Sequence, residues 1–511
     1  MSEKTTKDGQ FDRPFFVDLI DRHRRRVFRL SALFLVILPF LVVELFLRMA
    51  APAWVHPNTD PFIGFSSNSS LFELDPKNAK YLIKKEHLRS FVQNSFSAIK
   101  DKNTYRIFCL GGSTVQGRPY SIETAFTTWL KLALKTAHPG KNFEIVNVGG
   151  VSYASYRLLP ILQECLNKYQ PDLILLCTGN NEFLEDRSYG NIKKAAPLVN
   201  PILKGMKHLK LVQLAIQLGH RNGASKTQTS TLGPQVNAIL DYERGIQRYH
   251  RNEKWKLSVE RHFENNIGRM MQLCKDKGVA MMLLSPCFNL KDTPPFKSEH
   301  ASGLSEADKN KWQIEIQSAS ESMGHNLDQA IKHLKSAIAI DQTYAATWYS
   351  LGQAYLQKGQ FQRARQSFQQ ALELDICPLR INTNLRSTLR QATEKWTVPY
   401  LDLQELAKEQ SPYGIPGNEF LIDHVHPTIR GHQIIGLELA KSILNDNFLP
   451  DQGEDWISQI DSVFASHLNS IPDVYYLVGM ERLKGLKAWT QGRADGKPIE
   501  NHPKVPNGIE W

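Results

Sequence analysis

The sequence lacks a phosphate-cradling glycine loop, a haem-attachment motif and any cysteine or histidine set at metal-ligand spacing, so nothing in it asks for a cofactor or a metal. Cysteine is scarce, six in 511 residues. Cys109, Cys177 and Cys274 lie in apolar stretches and read as buried free thiols. Cys287 and Cys377 each adjoin a proline and bracket a change of pattern, where a disulfide between them would close the neck of the intervening segment. Aromatic-interleaved basic patches are also missing. The 62 Lys+Arg against 51 Asp+Glu give a net charge of +11, but the basic residues are scattered apart from Arg22–Arg26, and no nucleic-acid module appears. No nucleic-acid partner is expected.

What is present describes a folded chain: 41% apolar and 22% charged residues. At 511 residues it is too long for one ordinary core. The basic cluster precedes an apolar run from Leu30 to Leu47, long enough to cross most of a bilayer. Basic residues stay cytoplasmic, so residues 1–26 are read as a cytoplasmic tail, 27–49 as a transmembrane helix, and the remainder as periplasmic or extracytoplasmic. The alternatives are a buried core helix and a signal peptide cut after Ala51-Pro52-Ala53; the long basic region before the run argues against cleavage.

Three blocks far apart carry the chemistry. Gly111-Gly112-Ser113-Thr114 follows the apolar run Tyr105–Leu110, a strand pattern with a sharp glycine exit. Gly179-Asn180-Asn181-Glu182 follows a second such run, Pro171–Cys177, and a third, Phe143–Val148, leads into Gly149-Gly150-Val151-Ser152-Tyr153. Asp423-His424-Val425-His426-Pro427 places a carboxylate three residues before an imidazole, a spacing that puts both side chains on one side of a turn. A serine hydroxyl is a poor nucleophile unless a base lies within hydrogen-bond reach. Here His426 is the candidate base, Asp423 its orienting acid, and the Asn181 amide a donor to a developing oxyanion. Taken singly, each block has a plain reading as a turn or cap; their joint placement at strand ends points to one hydrolytic site.

At these residues the chain resembles the SGNH hydrolases, also called GDSL-type esterases, over residues 101–300 and 379–447. The resemblance implies a flavodoxin-like three-layer α/β/α fold with a parallel sheet, Ser113 as nucleophile, Asp423 and His426 as acid and base, and an oxyanion hole of Asn181 with a backbone N–H. The family's Gly-Asp-Ser is Gly-Gly-Ser here, and its Gly-x-Asn-Asp is Gly-Asn-Asn-Glu. Spacing from Asn147 puts the family's oxyanion glycine at Ser152, with Gly150 just before it, and both stay open as the backbone donor.

Between the two parts the pattern changes. Ala345, Trp348, Leu351, Gly352, Tyr355, Gly359, Ala364, Phe368 and Ala371 fall at the offsets of a tetratricopeptide repeat, and Ala330, Leu334 and Ala337 fit the second helix of a preceding one. Residues 303–378 are therefore read as an all-α insertion. One or two repeats are few for a free-standing solenoid, so the insertion is expected to dock on the hydrolase. Trp348 and Phe368 read as packing residues, and a peptide-binding concave face is the functional reading. Residues 50–100 are read as a linker with some strand content, 448–511 as a helical extension, and 197–218 as a helical stretch. Arg380 is read as a surface ion pair or as pointing to the cleft, and His424 and His432 flank the catalytic turn.

The expected function is an anchored extracytoplasmic serine esterase acting on an ester-bearing small molecule, lipid or glycan, without cofactor. Rival readings are an O-acyltransferase on envelope polysaccharide using the same residues, and a scaffold whose repeats recruit a protein partner while the hydrolase fold is silent.

Overall fold

The computed structural model describes residues 70–185, 236, 238–241, 244–446, 448–449 and 455–491, with ten positions between 34 and 46. The chain divides into two compact units, one of residues 1–66 and 195–230, the other of the remainder. In the first unit the described positions are helical, and Phe34, Leu35, Leu38, Phe40, Val42, Val43, Leu45 and Phe46 are exposed. No helix among the described residues is long and apolar enough to cross a membrane. The basic cluster, most of the flanks of the apolar run and the 197–218 stretch lie outside the described residues.

The second unit opens with a three-stranded antiparallel sheet, β1 (Phe72–Asp75), β2 (Lys80–Ile83) and β3 (Ser95–Ser97). Residues 70–100 carry the strand content expected, and they are packed into the fold, with Leu71, Phe72, Ile83, Phe91 and Phe96 buried in the main core. Buried Arg106 ties this sheet down: its guanidinium donates to the Ser97 carbonyl at 2.8 Å, the Tyr169 carbonyl at 2.6 Å and Glu144 at 2.6 Å.

The main sheet has five parallel strands: β4 (Thr104–Gly111), β5 (Asn142–Gly149), β6 (Leu173–Cys177), β7 (Ala280–Ser285) and β8 (Tyr400–Asp402), in the order β5-β4-β6-β7-β8. The central strands β4, β6 and β7 are nearly continuous buried runs because helices cover both faces. Along β4, Ile107 and Cys109 enter one core while Phe108 and Leu110 enter the other.

Helix α1 (Ser113–Gln116) follows β4, α2 (Phe126–Ala137) joins it to β5, and α3 (Ser155–Lys168) joins β5 to β6. Helix α4 (Glu253–Lys277) starts at an Asn252 cap that accepts from Trp255 N and ends at Gly278, whose φ of +65° reverses the chain into β7. The inserted helices are α5 (Glu306–Ser322), α6 (Leu327–Ile340), α7 (Ala345–Gln357) and α8 (Phe361–Glu373), two antiparallel hairpins. In the second, the Gly352 backbone lies so close to the Phe368 ring that a Cβ would stand 2.6 Å from it. Helices α9 (Thr383–Trp396), α10 (Leu403–Glu409) and α11 (Ile429–Asn445) complete the fold around β8. The extension forms α12 (Ile457–Asn469) and α13 (Asp473–Thr490); Phe464 packs on Trp129 at 4.8 Å, and the Tyr475 hydroxyl accepts from Ser121 N and Thr124 N.

All six cysteines are free and buried. The hypothesised Cys287–Cys377 bridge is not made, and the two thiols sit in different cores.

Candidate active site

The register brings Gly111 level with Gly149 on one side and Cys177 on the other, so β4, β5 and β6 end at one edge. Strand order reverses there, between β4 and β6, and the crevice outside the carboxyl ends at such a point is where open α/β sheets take ligands.

Ser113 is the first residue of α1, half-buried, with Gly112 before it in extended backbone. Glycine is required at 112 by a close approach: a Cβ there would stand 2.5 Å from Asn181 Nδ2. His426 Nε2 lies 2.7 Å from Ser113 Oγ, and His426 Nδ1 lies 2.7 Å from Asp423 Oδ2. Both contacts are satisfied by one tautomer, protonated at Nδ1 and accepting the serine hydroxyl at Nε2. The turn holding this pair is closed by its own acid, because Asp423 Oδ1 accepts from Val425 N at 2.9 Å and His426 N at 2.8 Å. Ile422 N also donates to the His426 carbonyl at 2.8 Å. Asp423 and His426 are buried.

Burial raises the Asp423 carboxyl, but the adjacent His426 and His424 and the bonds it accepts outweigh this, holding it well below the usual carboxylate range. It is ionised wherever the imidazole is needed as a base. Burial pushes His424 down to about 4, against the opposing pull of Asp423, and pushes His432 down to about 3. His432 Nδ1 accepts from Phe126 N at 3.2 Å, a bond that requires a neutral ring. Both flanking histidines are therefore uncharged near neutral pH and serve as packing. His424 stands edge-on to Phe296, and His432 stacks on Phe126.

The amide of Asn181 donates one hydrogen to the Tyr153 carbonyl at 3.1 Å, which fixes its plane and leaves the second for the space beside Gly112. Of the two backbone donors left open, Gly150 N is already committed to the Gly111 carbonyl at 3.0 Å. That overturns Gly150 as an oxyanion donor. Ser152 N has no partner among the described residues, and Ser152 has φ of +61°, in the left-handed region that favours glycine. Ser113 N, at the start of α1, is likewise unpaired.

Several neighbouring residues, inside the motif blocks and beside them, hold these parts in place. Asn147 donates to the Val115 carbonyl at 2.6 Å and accepts from Gly149 N at 3.0 Å, tying the β5 exit to the serine turn. Glu182, buried and pushed up by that burial against the opposing Ser155 bonds, accepts from Ser155 N at 2.9 Å and Ser155 Oγ at 2.8 Å. It thereby pins the Asn181 loop to the start of α3. Asn180 Oδ1 accepts from Ile381 N at 2.9 Å, and Gly179, at φ of +135°, would place a Cβ 2.5 Å from the Ile381 side chain. Arg380 is neither at the surface nor in the cleft, as had been expected from its sequence position. It is buried, donating to the carbonyls of Asn289 at 2.9 Å and Thr293 at 2.8 Å beside Asp375.

No cluster of three metal-binding side chains occurs among the described residues. A surface cavity of about 480 Å³ between α10, α11 and α12 contains none of Ser113, Asn181, Asp423 or His426.

No curated protein matches the chain. Solved structures similar to it include the lipase/acylhydrolase of Enterococcus faecalis, 10% identical, covering 67% of this chain and 96% of that one at a TM-score of 0.28. A GDSL-like lipase of Bacteroides thetaiotaomicron is 12% identical, with 69% and 93% covered and a TM-score of 0.29. An acetyl xylan esterase is 10% identical, with 66% and 99% covered and a TM-score of 0.30. Two tetratricopeptide-repeat families match, one over residues 326–359 and one over residues 345–375. The segment 326–375 therefore carries tetratricopeptide repeats, set into a chain whose solved likenesses are esterases and lipases of the GDSL kind.

Proposed function

We infer that the protein is a serine hydrolase of ester bonds. The observation that carries this is the unbroken relay from Ser113 Oγ through His426 to Asp423, with both links at 2.7 Å. In this reaction Ser113 Oγ attacks the acyl carbonyl while its proton passes to His426 Nε2. The Asp423 carboxylate holds the ring and stabilises the imidazolium. The carbonyl oxygen becomes an oxyanion facing the Asn181 amide and the N–H groups of Ser113 and Ser152. His426 then returns the proton to the departing alkoxide, leaving an acyl-serine, and a water deprotonated by the same imidazole releases the acid.

Fluorophosphonate labelling tests this directly. The wild type is expected to bind the probe covalently at Ser113 and to hydrolyse an aryl acetate, and Ser113→Ala to lose both. Wild-type turnover in Ser113→Ala would dismiss the mechanism.

Attachment to a membrane through residues 27–49, with the N-terminus inside, belongs to the same proposal. The basic cluster followed by an apolar run supports it, as do the exposed apolar side chains between 34 and 46. Release of the full chain from membranes by alkaline carbonate would argue against it.

A further inference from the structure

Between β7 and the repeats the chain runs from 286 to 300 without regular structure, and its middle is bonded on three sides. On the first side is the turn that holds the candidate base. Asn289 N donates to the His424 carbonyl at 2.9 Å, Leu290 N donates to Pro416 O at 2.9 Å, and the Phe296 ring meets the His424 ring edge-on at 5.3 Å. On the second is the exit from the repeats, where Asp375 accepts from Phe296 N at 2.9 Å and from Lys297 N at 3.1 Å. On the third are the repeats themselves. The Tyr349 hydroxyl and the Gln353 amide, one turn apart on α7, both donate to the Lys291 carbonyl, at 2.6 and 2.8 Å. Ala346 N donates to Ser298 Oγ at 2.9 Å.

Side chains at i and i+4 lie on one face of a helix, so Tyr349 and Gln353 can converge on one main-chain carbonyl of a segment laid across α7. Here that peptide belongs to the same chain. The geometry points to the repeats acting as an internal receptor for residues 289–298, whose seating holds the Asp423–His426 turn in register with Ser113. The inference rests on the serine-hydrolase reading. Tyr349 and Gln353 are positioning residues in it: neither touches the reacting atoms, and both act through the segment that buttresses His424. Beyond its own short-range closures, the His426–Ser113 bond and the burial of Val425, the turn takes support from Asn289 and Phe296. A misplacement of about 1 Å at a catalytic group costs on the order of 10²-fold in rate. The site reads this segment's position through His424, two residues from the base.

The test uses the full chain with Tyr349→Phe and Gln353→Ala together, beside Gln317→Ala on exposed helix α5 as a control. In the double variant kcat on an aryl acetate is expected to fall about 10-fold or more, with KM little changed. Hydrogen exchange at the Asn289 and Leu290 amides is expected to accelerate, while the control matches wild type in both. Accelerated exchange with unchanged kcat would overturn the positioning role, and unchanged exchange would overturn the receptor. Should the double variant fail to fold, Tyr349→Phe alone, which removes a single hydroxyl, carries the same readings at a smaller fold-change. Exchange is measurable whether or not the wild type turns over an ester, so failure of the hydrolase reading shows separately, in the wild-type labelling.

Discussion

Single positions in and beside the site each yield an expected outcome. Removing the Asn181 amide leaves the oxyanion with backbone donors only, so Asn181→Ala should lower kcat by about 10²–10³ while the chain stays folded; steady-state kinetics beside a circular-dichroism spectrum checks both halves. Gly112→Ala drives a methyl against that same amide, and by displacing this donor it should depress turnover comparably while leaving Ser113, His426 and Asp423 unaltered. The two buried neutral histidines give a pH dependence of definite sign. Their folded values of about 4 and about 3 lie below the ordinary 6.5, so unfolding takes up protons as pH falls from neutrality. The stability they contribute is whole above about 6.5 and declines as pH drops towards 4. Asp423, held low when folded, loses its contribution in the same direction further into acid. His432→Gln should flatten the decline between pH 7.5 and pH 5 by up to about 2 kcal/mol, read from denaturant midpoints at the two values; an unchanged slope would refute it. At this scale the sequence was legible where chemistry dictates residue type, as for Ser113, Asp423, His426 and Asn181. It was silent on which backbone N–H is free, because Gly150 and Ser152 differ only in where their amides point.

Among the elements, the parallel strands β4, β5 and β6 were readable to within about two residues, since each carries a mostly apolar run. The antiparallel strands β1 to β3 were legible only as some strand content before residue 100, without bounds. They are three or four residues long, and β3 presents one buried apolar side chain, Phe96, between two serines, which is no periodic signal at all. Helix α9 illustrates a cap that also does tertiary work. Asn382 accepts from Leu385 N at 2.9 Å, and its amide donates to buried Glu260 at 2.9 Å. Asn382→Ala removes the cap and one partner of a buried carboxylate, and should cost about 1–3 kcal/mol in a urea melt. The burial of Arg380 escaped sequence reading because its partners are carbonyls about ninety positions away, at Asn289 and Thr293, whereas the docking of the repeats was expected from their small number.

Across the whole molecule, one apolar core runs from β1 through the sheet into the repeats, with Phe72, Phe288, Leu334 and Phe368 in a single contiguous cluster. The repeats should therefore melt with the hydrolase and not before it. Phe368→Ala, a deletion of a fully buried ring costing about 3–5 kcal/mol, is expected to lower one common transition, seen alike by helix content and by esterase activity; two separate transitions would show the repeats to be an independent domain. The span between the serine and its base has a further consequence, one of timing. The two partners stand 313 positions apart in the chain, with every repeat helix translated between them. A ribosome that has finished the sheet's first four strands and the whole insertion has made a hydroxyl with no proton acceptor, so the growing polypeptide stays chemically inert until its last quarter emerges and folds back.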